Sequence, residues 1–420
     1  MARGDGSFWR SFGPGLLWAG ASIGISHLVQ STRAGADAGF GLAGVILLAL
    51  VLKYPFFEFG PRYAAATGNS LVEGYQRIGR WAIWLYLILT VATALIVQVA
   101  VVLFTAFVLT HAFGLDWPLA LVGGLICLLS AILLWVGRFK LLDASIKLVL
   151  VLLAISTLIA ASVALPVADF SSVKLLPLES GSMIVSLAFV LALVGWMPTA
   201  IDLAVWSSLW TLAKDESEGS RSSVANARLD FNIGYVGTGI LAFAFVTLGA
   251  TVMYGSGENF SPQGTLFSAQ LVELYVQMLG DWTRPVVLVA VITTMLSTSL
   301  TVIDGFPRAL DRTIRVLRNI DPGESIKPSR SPYWLSLVTL AVLTVVVLSF
   351  FLTNLTAMID FATIVSFLTA PVLGYLNLKA VTSADVPAEH RPGRTMLALS
   401  YVGLILLGGI AVIYLVTRFG

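Results

Sequence analysis

Apolar residues in this chain neither alternate as in strands nor recur on one helical face. They gather in long runs separated by short polar or Gly/Pro clusters. A helix crossing a bilayer needs about 20 apolar residues. Runs of that length occur eleven times, at 13–33, 39–57, 81–111, 117–136, 141–165, 182–213, 230–256, 283–306, 331–353, 355–380 and 394–417. The pattern predicts an all-α integral membrane protein, a single transmembrane domain over residues 1–420. Between the seventh and eighth runs, Gln263–Leu279 is amphipathic and is expected to lie on the membrane surface. The short polar N-terminus and the length of the first run argue against a cleaved signal sequence.

Composition agrees with the pattern. Of the 420 residues 57% are hydrophobic and 11% charged, whereas an ordinary soluble domain is about a quarter charged. So little charge excludes a soluble enzyme, a disordered tail or a nucleic-acid reader as the whole molecule, and makes the lipid bilayer the main partner. A formal net charge of +2 gives no reason to expect a polyanionic partner. Cys127 is the only cysteine, which excludes disulfides within the chain and thiolate clusters. Nothing sets the oligomeric state, and a monomer is compatible with all of it.

The distribution of basic residues predicts orientation, because cytoplasmic loops hold them in excess. With the N-terminus inside, the inside segments hold nineteen: Arg3, Arg10, Arg62, Arg77, Arg80, Arg138, Lys140, Lys214, Arg221, Arg228, Arg308, Arg312, Arg315, Arg318, Lys327, Arg330, Lys379, Arg391 and Arg394. Outside segments hold only Arg33, Lys174, Arg284 and Arg418, while Lys53 and Lys147 fall within spans. This predicts a plasma (inner) membrane protein with a cytoplasmic N-terminus and an external C-terminus.

Two spans look broken. The first carries Gly13, Gly15, Gly20 and Gly24 and a polar cluster of Ser26, His27, Gln30, Ser31 and Thr32; the sixth carries Gly195, Pro198 and Asp202 at mid-depth. Helix breakers and polar side chains are tolerated at that depth where the freed backbone lines a cavity or a ligand. Two such spans, five apart, point to an inverted-repeat transporter with its site between discontinuous helices. The competing account is a proline kink plus glycine packing.

Several motifs carry a resemblance. Gly13-Pro14-Gly15 before a broken span, Gly35-Ala36, Gly39-Phe40, Gly68-Asn69-Ser70-Leu71, Trp206-Ser207-Ser208-Leu209 and Ser297-Thr298-Ser299-Leu300-Thr301 resemble the Nramp family of proton-coupled divalent-metal transporters. The likeness covers roughly residues 13–310. It implies a LeuT-type fold of two inverted five-helix repeats, here 13–165 and 182–380, with an eleventh helix at 394–417. It also implies a divalent metal ion as substrate rather than cofactor. The departures lie in the site. Where the family has Asp-Pro-Gly-Asn in helix one, this chain has Gly24-Ile25-Ser26-His27. Where the family has Met-Pro-His-Asn in helix six, the same register gives Thr199-Ala200-Ile201-Asp202, with Met197-Pro198 two residues earlier. Gln98 is the main large polar residue in helix three, where the family carries acidic ones, and Thr363 stands where a glutamine is expected in helix ten.

The candidate binding residues are therefore Gly24, Ser26, His27, Gln98, Thr199, Asp202 and Thr363. Asp202 is the one carboxylate placed near mid-membrane, as a cation ligand or the carrier of a coupling proton; alternatively Thr199 and Asp202 form a capping box for the second half of helix six. As neutral imidazole His27 would ligate a metal and as a titrating group carry a proton; alternatively it only hydrogen-bonds unwound backbone. Carboxylate, hydroxyl and imidazole donors suit Mn²⁺ or Mg²⁺ better than softer ions.

Most other membrane charges have local explanations. Lys53 reads as close enough to the cytoplasmic end to snorkel. Asp143 with Lys147 and Asp304 with Arg308 read as i,i+4 pairs, Arg33 and Asp37 flank the outer mouth, and Asp360 is placed in an outer vestibule. Gly234, Gly237 and Gly239 read as helix packing, since no strand precedes them as a dinucleotide fingerprint requires. Without a P-loop or nucleotide-binding domain the chain reads as a secondary transporter and not an enzyme, for a divalent metal or for another small solute such as an anion. A non-transporting sensor on the same scaffold is the remaining reading.

Overall fold

A computed structural model describes residues 13–136, 139–173, 178–179, 182–183, 185–319, 330–350 and 354–419. Of the positions named above, Arg3, Arg10, Arg138, Lys174 and Lys327 fall outside these residues, as do the side chains of Lys140, Asp143, Lys147 and Arg330. Among the described residues, eight helices are continuous, long and apolar enough to cross a membrane: Ala43–Thr67, Arg80–Phe113, Leu119–Val136, Val224–Val252, Asp281–Leu317, Ser331–Phe350, Leu355–Val381 and Arg394–Phe419. The remaining three crossings are helix five, Phe139–Ala164, and two interrupted helices, so the eleven runs correspond to eleven spans. Spans four, nine and eleven sit at the rim, with 28%, 28% and 22% of their apolar windows buried. Their exposed faces, Trp135, Leu335 and Ile405 among them, are what lipid would cover. The amphipathic segment forms the helix Gly264–Leu279, which turns Phe267, Leu271 and Tyr275 inward.

Helix one runs Pro14–Ser22, loses regular bonding at Ile23–Gly24, and resumes as a wide π turn, Ser26–Ser31, and a short helix, Thr32–Ala38. Helix six runs Leu187–Gly195 and restarts as Leu203–Glu218 after an irregular stretch at 196–202. Both interruptions fall where the glycines, proline and polar residues predict them.

Helix seven, Val224–Val252, splints the broken helix one. On the first half, a Cβ on Gly15 would stand 2.1 Å from the Asp230 carbonyl oxygen, and one on Gly234 2.4 Å from the carbonyl of Gly15. On the second half, a Cβ on Gly35 would meet the Val246 carbonyl at 2.1 Å, and one on Gly249 that of Thr32 at 2.1 Å. Backbone therefore lies directly on backbone, which glycine alone permits. Of the three glycines expected to pack, Gly234 does so, Gly239 lies at ordinary contact with Leu50, and Gly237 faces open space. The Asp230 carboxylate also accepts the Gly15 amide at 2.7 Å, satisfying a donor at the start of helix one.

On the N-terminal face, ion pairs join the elements. Glu58 of helix two accepts from Arg62 at 2.7 Å and from Arg228 of helix seven at 2.5 Å. Glu73 completes a capping box with Ser70 and pairs with Arg312 of helix eight at 2.5 Å. Two of the family-like motifs meet here, because the Leu71 amide donates to Ser208 Oγ at 3.1 Å. Asp304 and Arg308 pair as expected, at 2.9 Å.

Substituting Gly249→Leu should cost on the order of 1–3 kcal/mol by overpacking against backbone that cannot yield, whereas Gly237→Leu should melt like the parent. Thermal unfolding of the two purified variants checks the seam, and equal melting temperatures would count against it.

Candidate functional site

Where the two interruptions meet, they enclose a cavity of about 30 Å³, room for about two waters or one small ion. Helix one supplies Ser22, Gly24 and Ser26 to its wall, helix six Trp196, Thr199, Asp202 and Trp206, and helix eight Thr298; helix three contributes Val97 and Val101. Of the seven expected site residues, four therefore come together: Gly24, Ser26, Thr199 and Asp202.

Asp202 is 1% exposed, and neither of its carboxylate oxygens has a hydrogen-bond partner among the described residues. The capping box expected for Thr199 and Asp202 does not form, for a conformational reason. With Thr199 as N-cap the helix would have to begin at Ala200 and hold Asp202 in its third position, but it begins only at Leu203, so Asp202 stands at its border and its carboxylate caps nothing. A buried carboxylate without partners is costly, and this one lies on a cavity wall. Trp206 Nε1, on the same wall, is likewise without a partner among the described residues.

Gly24, which the register read from the sequence sets against the family's aspartate, is closely packed. A Cβ there would lie 2.9 Å from Thr298 Oγ1 and 3.0 Å from its methyl group. Any side chain at 24 would push into helix eight, so Thr298 fills the space that a carboxylate would need.

His27 is fully buried but turned away from the cavity. Its Nε2 lies 2.9 Å from the Thr238 carbonyl of helix seven, and its Nδ1 lies 2.7 Å from Ser26 Oγ and 3.2 Å from the Ser22 carbonyl. His27, expected among the residues of the site, thus stands behind the cavity, while Ser26 faces it. The π turn is the cause, because its extra residue rotates side chains off the regular helical phase. The ring is surrounded by oxygens that serve either protonation state. When neutral it donates to Thr238 and accepts from Ser26. When charged it donates on both sides, and the Ser26 hydroxyl turns to the Ser22 carbonyl, 2.7 Å away.

Gln98 and Thr363 lie elsewhere. Gln98 points from helix three to Thr344 Oγ1 of helix nine at 3.2 Å. Thr363 packs behind the helix-six break, where a Cβ on Gly195 would stand 2.0 Å from its carbonyl oxygen. Its hydroxyl accepts from Gln30, which also donates to Asp360. Asp360, partly exposed, takes a two-pronged ion pair from Arg33 at 2.7 and 3.3 Å, and the Arg33 guanidinium stacks 4.6 Å above the Phe189 ring. Helices one, six and ten are thereby joined on the far face.

Lys53 departs furthest from expectation. It does not snorkel; it is 1% exposed and donates to the carbonyls of Val194, Gly195 and Thr199 at 3.0, 2.9 and 3.0 Å, inside the helix-six break. The span was expected to end at 57, but Glu58 and Arg62 neutralise each other and let the helix run on to Thr67, which leaves Lys53 near the middle of 25 residues. A single lysine deep in a long apolar run is the signal that could have found it.

Among the described residues no group of three or more His, Cys, Asp and Glu side chains is placed to hold a metal. An ion in this cavity would draw on the Asp202 carboxylate together with hydroxyl and backbone oxygens.

Comparison with known proteins gives the frame for this geometry. An uncharacterised protein of Pasteurella multocida (strain Pm70) is 35% identical over 421 residues, covering 99% of this chain and 94% of that one. The metal transporter Nramp6.2 of Populus trichocarpa is 32% identical over 130 residues, 29% of this chain and 23% of its own. The crystal structure of a mutant manganese transporter of Eremococcus coleocola superposes with a TM-score of 0.74 at 17% identity, covering 99% of this chain and 88% of that one. MhsT in complex with L-phenylalanine superposes with a TM-score of 0.62 at 13% identity, covering 96% and 97%. The fold is accordingly the LeuT type, two inverted five-helix repeats and an eleventh helix, in an integral membrane protein that is a transporter and not an enzyme. The family model for natural resistance-associated macrophage protein-like sequences matches residues 15–417, and the chain belongs to that family, Nramp.

Proposed function

We propose that the chain is a secondary transporter that carries a divalent metal ion, Mn²⁺ or Mg²⁺ in preference to softer ions, through the cavity beside Asp202. The observation that carries this reading is the Asp202 carboxylate, buried on the cavity wall with both oxygens unpartnered among the described residues. Carboxylate, hydroxyl and carbonyl oxygens make a hard donor set, and the metal transporters named above add weight. With one carboxylate in reach, affinity should be modest. The repeats 13–165 and 182–380 would be the bodies that move around the site.

Asp202→Asn removes the charge and disturbs no cap, because there is none. The variant should melt like the parent, while Mn²⁺ flux into proteoliposomes falls at least about tenfold, the equivalent of 1.4 kcal/mol. Normal Mn²⁺ flux in the variant would refute the assignment. If the parent protein carried an anion but no divalent metal, the site would belong to a different solute.

His27 is the proposed carrier of a coupling proton, since oxygens face both ring nitrogens and accommodate the ring with or without its second proton. Acid on the loading side should raise metal flux in the parent. In His27→Gln, which can still donate to Thr238 but cannot titrate, flux should lose its pH dependence. An unchanged pH profile would remove His27 from the mechanism.

The N-terminus is proposed to be cytoplasmic, in a plasma (inner) membrane. Gly13, Lys214, Asp304 and Arg308 line one pocket of about 860 Å³, so they share a face. Membrane-impermeant thiol reagents applied to intact cells should label Ser171→Cys and spare Ser220→Cys; the reverse pattern would invert the orientation.

A further inference from the structure

Lys53 raises a question of its own: why should a chain with so few membrane charges keep an ammonium near the middle of helix two, with no carboxylate among the described residues to meet it? Its three acceptors are all backbone. Val194 and Gly195 belong to the last turn of Leu187–Gly195, at the negative end of the helix dipole, and the Val194 carbonyl also accepts the Met197 amide at 3.3 Å. Thr199 lies beyond the break, so the ammonium ties the end of one half-helix to the irregular segment that leads into the next. An ammonium has three N–H donors, and here all three are used. The Phe57 ring, its centroid 5.6 Å from Nζ, adds a fourth electron-rich neighbour. Three converging carbonyl oxygens beside a ring, shut off from solvent, are the surroundings in which a dehydrated monovalent cation would be held. Asp202, three residues past Thr199, makes no hydrogen bond to the lysine and keeps both oxygens for the cavity.

We propose that Lys53 is a resident cation: its ammonium fills a carbonyl cage at the helix-six break that would otherwise need a sodium, potassium or similar monovalent ion, and so the break keeps its shape without one. Lys53 is in this reading a positioning residue, which shapes the wall that presents Thr199 and Asp202 and does not itself touch the cargo. The cage remains as a cation site once the side chain is cut back.

The experiment uses the full-length protein in detergent, in a buffer whose only cation is N-methylglucamine, and compares the parent, Lys53→Ala and Lys53→Met by thermal unfolding. Lys53→Ala should melt several degrees lower, and sodium, potassium or methylammonium chloride should restore more than half of the loss in a saturable way. The parent should not respond. In Lys53→Met, where a neutral side chain of similar length fills the cage, the loss should persist in every salt. Lys53→Ala melting like the parent would overturn the proposal. So would a loss that none of the three cations repairs, or a Lys53→Ala protein that cannot be recovered in any of these salts, because Lys53 would then be an ordinary hydrogen-bonding strap. No step requires transport, so failure here is distinguishable from failure of the metal-carrier reading.

Discussion

A helix that stops hydrogen-bonding partway through a bilayer leaves amides and carbonyls where water is absent, and every such group must find a partner within the protein. That constraint explains the structure more fully than any single contact. In helix one, local turns and hydroxyls answer it: the Gly24 amide donates to the Ser22 carbonyl at 3.1 Å, the Leu28 amide to that of Gly24 at 2.9 Å, and Ser26 and Thr32 add hydroxyl bonds to the carbonyls of Ser22 and Leu28. In helix six an ammonium answers it, Lys53 reaching across from helix two. The two breaks differ in chemistry as a result. The first is lined with groups that can donate or accept; the second is bound by a fixed cation and turns the Asp202 carboxylate toward the cavity, beside Thr199 and Trp206.

The close packing of the first break also shapes the cavity. Helix eight brings Thr298 against Gly24 and leaves little room for a side chain there, and the carboxylate on the cavity wall comes from helix six, as Asp202. In the function proposed above, a cation would take its negative charge from that helix, on the fold the family shares.

Much of this was readable in the sequence. Span number, the positions of both breaks and the gathering of Gly24, Ser26, Thr199 and Asp202 follow from run length, glycine, proline and mid-span polarity, because those properties act locally. What could not be read depends on rotation and on distant partners. His27 lies one residue from Ser26, yet it faces helix seven because the π turn breaks the periodicity from which facing is inferred. Lys53 was misplaced because the pairing of Glu58 with Arg62 and Arg228, the last on a helix far along the chain, hides how long helix two is. The Thr199–Asp202 box failed because the second half of helix six starts at Leu203, a boundary that residue types do not specify.

The glycine seam between helices one and seven has a mechanical consequence. Helix pairs that interlock large side chains resist relative movement, since each knob must leave its hole before the surfaces can shift. Along Gly15, Gly234, Gly35 and Gly249 the contact is main chain on main chain, but between these points Trp18 of helix one packs against the Phe231 and Tyr235 rings of helix seven, and the Asp230 carboxylate holds the Gly15 amide. The first half of helix one is thereby keyed to helix seven, so a displacement of one would carry the other with it.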